Sequence, residues 1–507
     1  MNGLHRCFSS FVILGFAVAL SGCGARSMAP PSLSPEAFQR VQSADVRDAG
    51  TQVFTLGDGG TNAAWVMGLS TGADGQLYYS VGAASSGCPS PTSGEIGSFN
   101  VSTHAQSYQT VAYWPGFLLE TAHGLWVEEV NNTSGNPTID HYTAVGGTDT
   151  PVSIPIGPFS CVYFGNGIGG GIAAGADGEL WWGSDNSPQV GEIDQTTNGV
   201  SVYTLGTPAG GLVPQPQFMV SASDKNIWVT DTSNDAVFRV VGIGTSKGTS
   251  TYTILPQGES YNPILEGITE GSDHKLYTGS EYLSSSSISG YLDSGAPAKS
   301  PAFSSIALPS AGSFPYILAP SKTKIYYNDF IWGGLGSYDP ATGELVILPL
   351  RNPLGASGVG GITVDASGTP WVGCTITNGT TQIACIESVK LTATWKVYPS
   401  GSIKLYTQSQ QGTPLPPGLI GIGETGNSGP FTVMSSDTTI CTASVISGFD
   451  HNIQVNPVKA GKCTLSITDA HSRTVNVAVQ VIKGKGYPYA RVRPVRGRNV
   501  PLWPSQE

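Results

Sequence analysis

Short apolar runs rich in Trp and Tyr recur along the chain. They read Leu77-Tyr78-Tyr79, Leu125-Trp126-Val127, Leu180-Trp181-Trp182, Ile227-Trp228-Val229, Leu276-Tyr277-Thr278, Ile325-Tyr326-Tyr327 and Pro370-Trp371-Val372. Their first residues are 48, 55, 47, 49, 49 and 45 positions apart. A fixed period of this length marks a repeat in which each copy is one supersecondary unit. Ahead of each run lies another apolar segment and a turn, as in Gly171-Ile172-Ala173-Ala174 before Gly175-Ala176-Asp177-Gly178. Asp74-Gly75 and Asp177-Gly178, with Asp224-Lys225 and Asp273-His274 as altered forms, supply the positive φ of a tight hairpin. A third strand follows, as in Val190-Gly191-Glu192-Ile193, and a fourth, as in Val202-Tyr203-Thr204-Leu205. Four antiparallel strands per copy, seven times over, predict an all-β fold, a seven-bladed β-propeller over residues 51–400. Parallel β-helix coils are much shorter than this period.

Two segments compete to complete the last blade: Val53-Phe54-Thr55-Leu56 ahead of the first copy, and Trp395-Lys396-Val397-Tyr398 after the seventh. Beyond the repeat, residues 401–482 carry Val-, Ile- and Thr-rich strands and no Trp. The stretch from Ala460 to Ala470, followed by Val475 to Val481, resembles bacterial Ig-like domains, which implies a small β-sandwich. The tail 483–507 sets Lys483, Lys485, Arg491, Arg493, Arg496 and Arg498 against Glu507, a net +5 that leaves −16 on the rest. It reads as a basic, disordered tail.

Composition agrees with a turn-rich β protein. The 507 residues are long enough for two or three domains, and Gly and Pro together make up roughly one residue in five. Only 12% are charged, against ~25% for ordinary soluble domains. The net charge of −11 speaks against a nucleic-acid grip.

Residues 1–22 read as an export signal, with Arg6 ahead of the apolar run Phe11 to Leu20. The run is too short to span a bilayer. Leu20-Ser21-Gly22-Cys23 resembles a bacterial lipobox, which implies cleavage before Cys23 and lipid on its thiol. Gly24 rather than Asp follows, so no inner-membrane retention signal is present. The expected address is the cell envelope, lipid-anchored at the outer membrane or cell surface, with residues 23–50 as a flexible tether. Export leaves six cysteines in an oxidising compartment, which favours disulfides. Cys374 and Cys385 fall on hairpin neighbours of blade 7, Cys441 and Cys463 lie in the second domain, and Cys88 and Cys161 lie in loops of neighbouring blades.

The blade pattern, best carried by residues 171–205, resembles the virginiamycin B lyase (streptogramin lyase) propellers. That resemblance implies a Mg²⁺-assisted elimination, with histidines just before certain innermost strands and glutamates on the same face. The matching positions here read Phe117, Gly170, Gln217, Glu266, Tyr316 and Gly360, so the family's base is missing. No catalytic residue is assigned. Four carboxylates, Glu129, Asp231, Glu266 and Asp329, are expected to face the central opening, as candidate ligands for Ca²⁺ or Mg²⁺. Tyr163, Phe164, Tyr316 and Trp332 lie in or beside the long loops of that face and suggest recognition of a glycan, peptide or envelope protein. The sequence thus predicts a binding scaffold held to the membrane by its lipid. The alternative is a lyase- or lactonase-type enzyme with a divalent cation in the channel.

Overall fold

The computed structural model describes residues 51–57, 65–82, 94–131, 136–155, 171–184, 187–255, 263–283, 288–308, 315–329, 334–350, 361–378, 381–392, 394–399, 402–408, 418–425 and 428–485. Cys23, Cys88, Cys161, Tyr163, Phe164 and Trp332 lie outside this set. Among the described residues all regular structure is β, and no helix is long and apolar enough to cross a membrane.

Seven four-stranded antiparallel sheets form the blades. Their inner strands are Trp65–Thr71, Trp114–Thr121, Ile172–Ala174, Pro216–Ser221, Pro263–Glu270, Pro315–Pro320 and Ile362–Val364. Each inner strand packs on that of the next blade, and the last packs on the first. This is a closed ring, and it defines a seven-bladed β-propeller.

The repeated residues have specific duties. The residue after the hairpin Asp, or its counterpart, takes a left-handed φ: Gly75 at 76°, Gly178 at 87°, Lys225 at 62° and His274 at 58°. In blades 1, 4 and 5 that Asp also accepts from the aromatic four residues on, Tyr78 OH donating to Asp74 at 3.1 Å, and in blade 7 Asp365, two residues earlier in the turn, does so. Trp228 Nε1 donates to Asp224 at 3.2 Å, Trp371 Nε1 to Asp365 at 2.9 Å, and Tyr277 OH to Asp273 at 2.8 Å. The pairing is not universal, since Trp181, four residues after Asp177, has no partner for its buried Nε1.

Large and small residues compensate across the second and third strands. Tyr79, Trp182 and Tyr327 pair with Gly97, Gly191 and Gly336, whereas Val229 pairs with Phe238. In blades 2, 5 and 7 the partners are buried acids: Val127 with Asp140, Thr278 with Asp293, Val372 with Glu387.

Blade 7 is completed by the N-terminal strand Thr51–Thr55, which pairs with Cys385–Val389 as its outer strand. The rival segment goes elsewhere. Lys396–Tyr398 pairs with Gly421–Gly423, and Trp395 joins the core of the C-terminal unit, which therefore starts inside the range read as propeller. This unit holds two four-stranded sheets around one apolar core, and its last strand, Thr474–Lys485, reaches into the range read as tail. The disulfides Cys374–Cys385 and Cys441–Cys463 are formed.

The C-terminal unit covers the outer strand of blade 6, Leu345–Pro349. That strand is buried along its whole length, whereas the outer strand of blade 4, Ser250–Ile254, is half-buried to exposed. An outer strand reading Leu-Val-Ile-Leu-Pro requires a cover, because an open apolar edge invites pairing with other chains. Asn452 supplies part of it: Ile347 N–H donates to its Oδ1 at 3.2 Å, and its Nδ2 donates to Ile347 O at 2.9 Å.

Candidate binding site at the propeller axis

Five inner strands carry a register shift: Val66/Leu69, Pro115/Leu118, Pro216/Met219, Leu265/Ile268 and Pro315/Leu318. A bulge re-aims side chains and leaves an N–H without a ladder partner. In four of these blades a polar residue of the second strand takes that N–H. Gly68 donates to Ser80 Oγ at 2.8 Å, Phe117 to Glu128 at 3.2 Å, Phe218 to Thr230 at 3.1 Å and Ile317 to Asn328 at 2.6 Å. This is the structural origin of the polar residue three places after the first residue of each of those repeats.

The bulges bring three aromatic rings from alternate blades into contact. Phe117 of blade 2 meets Phe218 of blade 4 edge-on, with centroids 5.5 Å apart, and Phe218 meets Tyr316 of blade 6 edge-on at 5.8 Å. Such T-shaped pairs stabilise beyond the area they bury. Phe218 is buried, while Phe117 and Tyr316 are half-buried. Gln217, which precedes Phe218 in the chain, is 8% exposed, and its Oε1 has no hydrogen-bond partner. The shared register also corrects one sequence assignment. The residue of blade 2 equivalent to Gln217 is Gly116, and Phe117 is equivalent to Phe218. The bulge fixes this register, because Pro115 and Leu118 flank it as Pro216 and Met219 do in blade 4.

Glu129, Asp231 and Asp329 of the four candidate carboxylates are buried. Among the described residues no three His, Cys, Asp or Glu side chains form a group that could hold a metal ion. These three carboxylates sit at the end of second strands, where side chains alternate between the two faces of a blade. Glu266 lies at the bulge of blade 5, and its side chain is outside the described set. Asp231 holds its own loop, accepting from Gln215 N at 2.9 Å, Ser233 N at 3.0 Å and Asn234 Nδ2 at 2.6 Å. The histidines belong to other structures: His141 stacks on Trp126 at 4.3 Å, His104 packs on Phe54, and His274 occupies a turn.

Glu129 belongs to a buried acidic group in blade 2. Tyr142 OH donates to its Oε1 at 2.5 Å. Burial, then the neighbouring Asp140, pushes Glu129 up to about 8, and burial pushes Asp140 up to about 7. Both groups prefer their protons in the folded state. Their stabilisation is present below the ordinary carboxylate range and is lost as pH rises through about 7 and 8. Glu129→Gln and Asp140→Asn are therefore expected to flatten the alkaline limb of stability against pH. At about pH 9 each gains roughly 2 kcal/mol over the parent, measured by denaturant unfolding.

No family model and no curated protein matches the sequence. Among solved structures, a streptogramin B lyase is 17% identical, covering 67% of this chain and 97% of its own, with a TM-score of 0.48. A catalytically inactive virginiamycin B lyase from Staphylococcus aureus with quinupristin is 16% identical over 67% of this chain and 99% of its own, at 0.49. YCF48 from Cyanidioschyzon merolae is 8% identical over 68% and 99%, at 0.43. The propeller itself rests on the ring of sheets, and these likenesses add nothing to its chemistry.

Proposed function

We propose that this chain is an envelope lipoprotein whose propeller binds a ligand at its axis and does not transform it. The observation that carries this reading is the aromatic run Phe117–Phe218–Tyr316 with the buried amide of Gln217, the residue before Phe218. Half-buried aromatic faces with a nearby hydrogen-bonding group suit a sugar ring or an apolar peptide side chain. The competing reading, a lyase- or lactonase-type enzyme with Ca²⁺ or Mg²⁺ in the channel, asks Glu129, Asp231, Glu266 and Asp329 to share one cation. Glu129 is engaged by Tyr142 and Asp231 by its own loop, and both arrangements favour the binding reading. The partner is accordingly a glycan, a peptide or an envelope protein.

The chain lacking residues 1–50 should retain a compound on glycan or peptide arrays. Phe117→Ala/Tyr316→Ala should weaken that binding at least tenfold, a difference of about 1.4 kcal/mol. Unchanged affinity in the double variant rejects the axial site. Lipid on Cys23 would hold the propeller at the membrane, since several acyl chains on one cysteine anchor firmly. Cys23→Ala should move the protein from the membrane to the soluble fraction with its fold intact. Retention in the membrane fraction argues against the lipid.

A further inference from the structure

We propose that His451 is a pH-sensitive latch that holds the C-terminal unit against blade 6. His451 lies in the strand Phe449–Pro457 of the C-terminal unit and is 6% exposed. Both of its ring nitrogens face carboxylates. Nδ1 lies 2.6 Å from Glu344 Oε1 of the propeller, and Nε2 lies 2.9 Å from Glu424 Oε1 of its own unit. A neutral imidazole has one N–H and one lone pair, so only the imidazolium donates to both. The proton therefore joins the two units through one ring.

The surrounding groups make this a balanced cluster. Glu344, which immediately precedes the outer strand of blade 6, lies 3.8 Å from Lys324 Nζ of the same blade. Glu424 accepts from Ser428 N at 2.9 Å and Ser428 Oγ at 2.6 Å. Arg473 Nη2 donates to Ser428 Oγ at 2.8 Å, and its Nε lies 2.5 Å from Asp469. Phe431 closes the fourth side, with its ring centroid 5.2 Å from the imidazole. Burial alone would push His451 down, but the hydrogen bonds and charges of Glu344 and Glu424 hold it above its ordinary 6.5. The bond to His451 in turn holds Glu344 below its ordinary 4.5.

The signs of these shifts give the window. The His451 contribution is complete below pH 6.5 and is lost as pH rises through its elevated value. The Glu344 contribution is present above pH 4.5 and is lost in acid. When His451 loses its proton, the remaining N–H stays with Glu424, the more buried carboxylate. The Nδ1 lone pair then faces Glu344 Oε1, and the contact that repels is the one across the boundary between the units. The adjacent residue reads the result directly, because Asn452 is the group that binds both backbone atoms of Ile347.

The test is amide hydrogen exchange of the full chain between about pH 5 and 9, corrected for intrinsic rates. Ile347 reports the latch through its bond to Asn452. Its protection should fall roughly tenfold across the His451 titration, the loss expected for one charge-assisted bond. His451→Gln should remove that step. Glu344→Gln, on the more exposed partner, should lower protection near pH 6 and move the step to lower pH. A flat profile in the parent protein overturns the latch. A step that persists in His451→Gln also overturns it and assigns the change to the acids of blade 2.

Discussion

Replacing Gly336 by Ala is expected to destabilise the propeller by roughly 3 kcal/mol, the upper range of overpacking costs. A Cβ there would lie 1.9 Å from Tyr327 Cζ, inside a fully buried ring. The strand can shift little, because Gly336 is paired with Tyr327 on one side and Ile347 on the other. Tyr327→Val alone should cost about as much, through the cavity it leaves. The double variant should be no less stable than Tyr327→Val, because the new methyl enters the space vacated by the ring. That coupling, about 3 kcal/mol in a double-mutant cycle by urea unfolding, reproduces in one blade the exchange of Tyr–Gly for Val–Phe seen between blades 6 and 4. Additive costs would show that the paired positions do not share one volume.

The second large effect concerns ring closure. Removing residues 1–50 should leave the melting temperature nearly unchanged, whereas removing residues 1–56 should lower it by more than ~10 °C or cause aggregation. Thr51–Thr55 is the outer strand of blade 7, and its loss opens the edge Cys385–Val389. Phe54 also bridges blades, with ring centroids 5.0 Å from Phe99 of blade 1 and 5.9 Å from Trp371 of blade 7. Circular dichroism melts of the two truncations decide the matter. Equal stability would mean that the ring closes without this strand.

The repeat was legible because each of its residues answers a local demand. The Asp of the hairpin caps a turn and, in blades 1, 4 and 5, accepts from the aromatic four residues later, as Asp224 does from Trp228. Cys374 and Cys385 were legible as direct cross-strand partners of one hairpin. The axis was harder. Only the position of the inner-strand bulge fixes the register of blade 2, and it makes Phe117 the counterpart of Phe218 rather than of Gln217. Glu129 and Asp231 follow the repeat faithfully, yet their partners, Tyr142 on the neighbouring strand and the loop around Gln215 and Asn234, are not given by spacing. The role of Trp395 depended on a partner far along the chain. Its Nε1 donates to Asp469 at 2.8 Å, so it anchors the C-terminal unit and leaves the last blade to Thr51–Thr55.

The central claim is that the aromatic run at the axis is the binding surface. Fluorine NMR of the chain lacking residues 1–50, labelled with fluorophenylalanine and titrated with a compound retained on the arrays, tests it most directly. Selective shifts of the Phe117 and Phe218 resonances are expected, with Phe99 and Phe431 unmoved, since those rings lie in the blade 1–blade 7 core and the C-terminal core. Shifts confined to Phe431, or to any set that leaves Phe117 and Phe218 unchanged, would contradict the account.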